Sequence, residues 1–223
     1  MRLRHGAESV SRQASRNPQL ELARLYVITP DAPAERVIEV ATAAARGGAD
    51  VVQLRHKTMP RGELLELARQ LRGLLTGTLL IVNDHVDIAM LSEADGAHLG
   101  PDDLSIAAAR RVAGDRLLVG ASASTPERAR EAVAAGADYL GSGPAFATPI
   151  KAEKKVLGPD GIAAIANTVE VPVFAIGGID ATNIDHVMAA GLRRVCVIRA
   201  VADASDPEQA TRKLRAMLDA ADR

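Results

Sequence analysis

Two apolar runs in this sequence end abruptly in oxygen-bearing side chains. Leu79-Leu80-Ile81-Val82 gives way to Asn83 and Asp84, and Gly96-Ala97-His98-Leu99 leads through Gly100-Pro101 to Asp102 and Asp103. Carboxylates at the C-terminal ends of successive parallel strands converge on one rim of a sheet or barrel. Hard oxygen ligands gathered there can hold Mg²⁺, an ion commonly shared with substrate phosphates. Asp84 and Asp103 are therefore the candidate metal ligands, and the chain reads as an enzyme. The competing reading is helix capping, by Asp84 for the helix holding Asp87 and Ile88 and by Asp103 for one starting near Ser105. For either acid alone capping would be preferred; two such sites on neighbouring strands, beside Arg55 and Lys57, favour metal.

The cations belong to Gln53-Leu54-Arg55-His56-Lys57. Alternation puts Gln53 and Arg55 on one side of a strand, the expected barrel interior, with Lys57 just beyond the rim. Such residues make poor core unless anions or polar groups meet them; the bland alternative is a strand-end salt bridge to Asp84 or Asp103. Ser122 ends the run Gly120-Ala121-Ser122, before a helix capped by Ser124 or Thr125 with Pro126 at its first position. No base is evident near Ser122 in the sequence, so a nucleophilic role is not expected. The long loop after Gly141-Ser142-Gly143 is of the kind that forms lids or binding loops. In it Thr148 and Lys151 could grip a phosphate, whereas Lys154 and Lys155 read as solvated. Gly177-Gly178, between an apolar run and a helix, lets backbone N–H groups approach a phosphate, and Arg199 could add charge to the same pocket. His98 reads as a core residue or one supporting the site from behind, and His85 as a solvated helix start. The sequence lacks both GxGxxG and a Walker A motif, so dinucleotide or nucleoside-triphosphate binding has no support.

What would position these residues is a regular alternation. Candidate strands run over 25–29, 50–54, 78–83, 96–99, 117–121, 139–143, 173–176 and 194–198, separated by helical patterns such as 34–46, 63–74, 106–112, 126–135 and 182–190, and closed by 207–221. Strict alternation indicates parallel strands with crossover helices, and eight such units match a single-domain (β/α)8 TIM barrel. A doubly wound open sheet is the alternative, because periodicity does not distinguish closure from an open edge. Three near-repeats, at Gly47-Gly48-Ala49-Asp50, Gly136-Ala137-Asp138 and Ala190-Gly191, each end a helix and enter a strand; they mark barrel construction at the N-terminal face.

The chain has 223 residues, near the roughly 250 of a typical barrel. Hydrophobic residues make up 48% and aromatics only 2%, so branched aliphatics must fill the core, as suits a parallel sheet buried on both faces. Twenty-eight acids nearly balance 27 Lys and Arg, which argues against nucleic-acid binding. No apolar run approaches the roughly 18 residues of a membrane span, and the single Cys196, inside an apolar run, reads as core. A cytoplasmic, reducing location follows by default. Residues 1–23, Arg-rich and lacking an apolar segment, read as a disordered or flexible extension, with the barrel over 24–223.

From about Leu25 to Val201 these segments resemble the thiamine-phosphate synthase family. The resemblance is carried by Val52-Gln53-Leu54-Arg55-His56-Lys57, Asn83-Asp84 with Asp87-Ile88-Ala89, His98-Leu99-Gly100 with Asp102-Asp103-Leu104, Gly120-Ala121-Ser122, Asp138-Tyr139-Leu140-Gly141 with Gly143-Pro144, and Ala175-Ile176-Gly177-Gly178-Ile179. It implies a (β/α)8 enzyme joining hydroxymethylpyrimidine diphosphate to a thiazole phosphate, forming thiamine phosphate and releasing diphosphate. By resemblance, Asp84 and Asp103 would hold Mg²⁺, and Arg55, Lys57, Asn83 and Lys151 would bind the leaving group. Gln53 and Ser122 would lie near the pyrimidine; Thr148 and the Gly177-Gly178 backbone would hold the thiazole phosphate. Pro101, Ser124, Ile150 and Arg199 depart from the family pattern. Ile150 removes a hydroxyl from the phosphate side, and Arg199 could restore binding with a full charge. The rivals are a thiazole tautomerase relative, which usually loses the acids and carries His where Ser124 stands, a silent phosphate-binding or regulatory barrel, and a phosphate-handling barrel of amino-acid biosynthesis. The expected partners are small molecules, without nucleic acid or membrane; a homodimer is compatible with the sequence, which leaves oligomeric state open.

Overall fold

The structure is a computed structural model and describes residues 17–148 and 155–220. After a short helix α1 (Pro18–Leu22), strands and helices alternate: β1 (Leu25–Ile28), α2 (Ala34–Arg46), β2 (Val51–Leu54), α3 (Arg61–Leu74), β3 (Leu79–Asn83), α4 (Val86–Leu91), β4 (Gly96–Leu99), α5 (Ile106–Ala113), β5 (Leu118–Ser122) and α6 (Pro126–Ala134). They continue with β6 (Tyr139–Ser142), α7 (Gly158–Ala166), β7 (Val173–Ile176), α8 (Ile184–Ala189), β8 (Val195–Val197), α9 (Arg199–Ala202) and α10 (Pro207–Ala220). All neighbouring strands are parallel, and β8 pairs back onto β1 through Leu25–Val195 and Val27–Val197, so the sheet closes into a barrel. This settles closure against the open sheet.

At the N-terminal ends of the strands, three aspartates lock register. Asp50 accepts the backbone N–H groups of Arg24 and Leu25 at 2.8 and 2.9 Å and pairs with Arg215 at 2.8 Å. Asp95 accepts from Leu80 N at 2.7 Å and from Arg72 at 2.6 Å. Asp138 accepts from Val119 N at 2.7 Å and pairs with Arg110. Each acid follows a helix, sits at the mouth of its own strand and reaches back to the preceding one, with an arginine from an outer helix completing its shell. Two of these clasps, at Asp50 and Asp138, belong to Gly-Ala-Asp near-repeats, which are therefore construction at the face opposite the strand C-termini; the third follows Glu93-Ala94.

Side chains at alternate positions fill the interior. The chain has only four Tyr and Phe residues, two of each, and three of them (Tyr26, Tyr139 and Phe174) meet there. Phe174 stands edge-on to Tyr26 and Tyr139, with centroids 5.3 and 5.9 Å apart. Glycines make room: a Cβ on Gly120 would lie 2.1 Å from the Tyr139 ring, and one on Gly96 would lie 2.4 Å from the Leu118 carbonyl oxygen. Below the aromatics, Leu20 and Ala23 pack with Val51, Leu79 and Leu118. Leu20 comes from α1, whose Asn17 side chain accepts from Gln19 N and Leu20 N. The segment expected as a flexible extension is thus ordered from Asn17, because Asn17 caps a helix turn and Leu20 has apolar surface to bury. The rest of that expectation concerns residues 1–16, outside the described residues.

The helices expected over 34–46, 106–112 and 126–135 are found within a residue or so at each end, and Thr125, not Ser124, caps α6. Among the described residues, no helix is long and apolar enough to cross a membrane. Gly120→Ala is expected to destabilise the fold by about 1–3 kcal/mol, as overpacking against a rigid ring does. Denaturant unfolding of the variant measures this.

Candidate active site

The C-terminal ends of the strands surround a cavity of about 380 Å³, the size of a small-ligand site. Its lining includes Gln53, Arg55, Asn83, Ser122, Thr148, Gly177, Gly178 and Arg199, all expected from the sequence to touch substrate. Lys57, Asp84 and Asp103 gather beside it, next to the lining residues Asn83 and Pro101. Lys151, Ile150 and Lys154 lie outside the described residues; Lys155 is exposed.

The floor is aromatic and hydrogen-bonded. Gln53 is 2% exposed and donates from Nε2 to the Tyr26 hydroxyl at 2.7 Å, and that hydroxyl lies 3.0 Å from the hydroxyl of Tyr139. Burial pushes both phenols well above their ordinary range, so they stay neutral. The His98 ring lies 5.6 Å from that of Tyr139, and its Nε2 is 3.1 Å from Ser122 Oγ. No imidazole is near Ser122 in the sequence; the barrel supplies one, because β4 and β5 pair in a register that puts His98 beside Gly120, two residues before Ser122. His98 is thus a lining residue of the cavity and an orienting partner for the serine hydroxyl. Sequence reasoning also leaves Tyr26, Tyr139 and Phe174 out of the site. Inward alternation from Gly141 to Tyr139, on the strand that ends in the Gly-Pro loop, is the signal that marks one of them.

On one side of the floor the charges alternate. Asp84 has φ 65°, in the left-handed region that Asp tolerates better than most residues. Its N–H continues the ladder to His98 O at 2.9 Å while His85 N turns back to Asn83 O at 2.8 Å. This sharp turn at the end of β3 delivers the carboxylate to Lys57 Nζ at 2.5 Å and to the side chain of Asp103. Asp103 also accepts the Gly100 N–H at 2.8 Å. Burial and contact with Asp84 push the Asp103 carboxyl above its usual range. Neither acid caps a helix: His85 precedes α4 without a side-chain cap, and Ser105 caps α5 through Ala108 N at 3.2 Å. The bland reading of the cations holds for Lys57 alone, since Arg55 turns instead to Asp31, 3.1 Å away.

Two carboxylates in contact, one of them driven toward its neutral form, suit a divalent cation, which would relieve their repulsion and take hard oxygen donors from both. Among the described residues no group of three or more His, Cys, Asp and Glu forms a complete cage. Any ion held here would draw its other ligands from water or substrate.

The opposite side is built from backbone. Gly177 and Gly178 have φ 103° and 66°, and a Cβ on either would strike Pro144 or the Phe146–Ala147 loop within 2.9 Å. Ala145 N and Phe146 N bond to Ile176 O and Gly177 O at 2.9 Å, tying the loop after β6 to the turn after β7. Arg199 opens α9 directly after β8, a short extra helix the sequence reading does not contain. Its guanidinium has no hydrogen-bond or ion-pair partner among the described residues. Loops after strands seven and eight with a short added helix form a common phosphate cradle in barrels.

A family model described as thiamine monophosphate synthase matches residues 25–201. A thiamine-phosphate synthase of Gloeobacter violaceus is 44% identical over 206 residues, covering 92% of this chain but 60% of its own length. The match to that of Pyrococcus horikoshii is 40% identical and covers 89% of this chain and 96% of the relative. A solved thiamine phosphate pyrophosphorylase of Pyrococcus furiosus superposes with a TM-score of 0.83 at 37% identity, over 92% of this chain and 99% of that one. The chain spans 56% to 60% of the length of the first curated relatives it matches. A barrel of this build, matched along nearly its whole length, places the chain in the thiamine monophosphate synthase family.

Proposed function

We propose that the chain joins 4-amino-5-hydroxymethyl-2-methylpyrimidine diphosphate to a thiazole phosphate, giving thiamine phosphate and diphosphate, as a cytoplasmic enzyme acting on small molecules. The observation that carries this reading is the contact between Asp84 and Asp103 beside Lys57 and Arg55, at the edge of a cavity with an aromatic floor. A flat heteroaromatic ring suits that floor, with Gln53, Ser122 and His98 as its polar contacts. A diphosphate on the ring's methylene suits the cationic side. A second phosphate suits Thr148, Gly177, Gly178 and Arg199 across the cavity.

The reaction needs no protein nucleophile. The methylene C–O bond breaks, its electron pair leaves with diphosphate, and the pyrimidine is left as a resonance-stabilised cation. The thiazole nitrogen then donates its lone pair to that carbon, closing the C–N bond. Arg55 and Lys57 neutralise charge that grows on the departing oxygens and Asn83 donates hydrogen bonds to them, and such prepositioned electrostatics is commonly the largest contribution to catalysis. Lys151 belongs to the same group by resemblance. Asp84 and Asp103 would hold Mg²⁺, which when bound supplies further positive charge against the diphosphate. Holding the thiazole in line with the methylene turns capture into an effectively unimolecular step, and the enclosed floor limits attack by water. Ser122, held by His98, orients the pyrimidine; it forms no bond to the methylene carbon.

Diphosphate release that requires both substrates and Mg²⁺ tests the reading, and release without the thiazole partner, or no release, contradicts it. Asp84→Asn keeps the tolerance for a left-handed backbone and is expected to lower kcat at least about 100-fold with little change in melting temperature. Asp103 gives a pH signature. A carboxyl raised in the folded state favours folding while neutral, and that contribution is lost as pH rises through its raised range. Without Mg²⁺, Asp103→Asn should therefore melt higher than the parent at neutral pH, and the gap should narrow toward about pH 4. Added Mg²⁺ should stabilise the parent only. Melting curves across pH, with and without Mg²⁺, check both statements.

A further inference from the structure

Asp31 comes from the β1–α2 loop, outside the lining of the cavity, yet it is the hub of the cationic side. Its Oδ2 accepts from Arg55 Nη1 at 3.1 Å, and its Oδ1 accepts the backbone N–H of Lys57 at 2.8 Å. The same oxygen lies 3.3 Å from His56 Nδ1. That nitrogen accepts from Met59 N at 2.9 Å, and Nε2 faces the Ala32 carbonyl oxygen at 3.1 Å, which assigns the ring proton to Nε2. Thr29 adds a further tie, its hydroxyl accepting from Arg55 N at 3.1 Å. The loop that presents Asp31 runs Thr29-Pro30-Asp31-Ala32-Pro33, and each proline fixes one backbone angle. A stiff loop thus grips both ends of Arg55-His56-Lys57.

From this arrangement we infer that Asp31 is a positioning residue for diphosphate: it holds the Arg55 guanidinium and the Lys57 backbone in the geometry that receives the leaving group. Arg55 and Lys57 project beyond β2, where the sheet's ladder no longer orders them. A free arginine side chain carries considerable rotamer entropy, and an anion would have to supply that ordering on binding. Asp31 supplies it beforehand. It engages one donor nitrogen of the five-donor guanidinium, so the remaining N–H groups stay available for a second anion. Asp31 acts through Arg55 and Lys57 and not on the reacting atoms.

The inference rests on the proposed function, and its test separates the two. Asp31→Asn keeps an acceptor for Lys57 N and removes the charge facing Arg55. Titration of the full chain with inorganic diphosphate in the presence of Mg²⁺ is expected to show about tenfold weaker binding in the variant. The KM for the pyrimidine diphosphate should rise by a similar factor, the KM for the thiazole phosphate should stay constant, and the melting temperature should shift little. In an Arg55→Lys background, itself weakened, Asp31→Asn should add little further loss; that non-additivity is a readout a merely structural role would not give. Unchanged or tighter diphosphate binding in Asp31→Asn, an equal rise in both KM values, or full additivity with Arg55→Lys overturns the inference while leaving the proposed function standing. Absence of diphosphate binding and of turnover in the parent overturns both.

Discussion

Two like charges held in contact are the constraint around which this rim is organised. Asp84 and Asp103 repel each other, and burial makes ionisation of Asp103 costlier still. The surroundings hold them together nonetheless. Lys57 neutralises one side of Asp84, the Gly100 N–H anchors Asp103, and a left-handed turn at the end of β3 aims the first acid at the second. Each of those supports comes from a different strand end, so the pair exists only when β2, β3 and β4 are in register. That dependence links a clasp at the far end of the barrel to the rim at the near end: Asp95, at the mouth of β4, holds β3 through Leu80 N and so supports the alignment that brings the acids together.

The two faces divide labour by backbone chemistry. On the cation-rich side the wall is made of side chains, with Arg55 held by Asp31 and Lys57 by Asp84. Across the cavity the wall is mostly main chain, shaped by glycines whose left-handed angles and close approach to Pro144 and Phe146 exclude a Cβ, with the Arg199 guanidinium as its charge. Between them the floor is neutral and rigid, with its phenols joined in a short hydrogen-bond chain from Gln53 to Tyr139. Charge at either side and none in the middle is the pattern expected for two anionic molecules that meet through uncharged rings.

Much of this was legible in the sequence because it is local. Strand alternation put Gln53 inside, and the Gly-Ala-Asp turns marked the opposite face. Acids at strand ends located the rim. What escaped was set by contacts distant in sequence. Ser122 gained its imidazole neighbour from β4, Arg55 gained Asp31 from the loop after β1, and the aromatic floor assembled from β1, β6 and β7. Helix α9 is only four residues long, too short for periodicity to show. The order at Asn17–Leu22 escaped for another reason: its composition resembles the preceding tail, and only the presence of an apolar opening to fill distinguishes it.

That opening gives Leu20 a consequence beyond anchoring the chain. By packing among Val51, Leu79 and Leu118 it corks the lower mouth of the barrel, so that among the described residues the cavity above it faces the strand C-termini. If the proposed reaction runs there, a ring seated on the floor would have to enter before, and leave after, whatever sits above it.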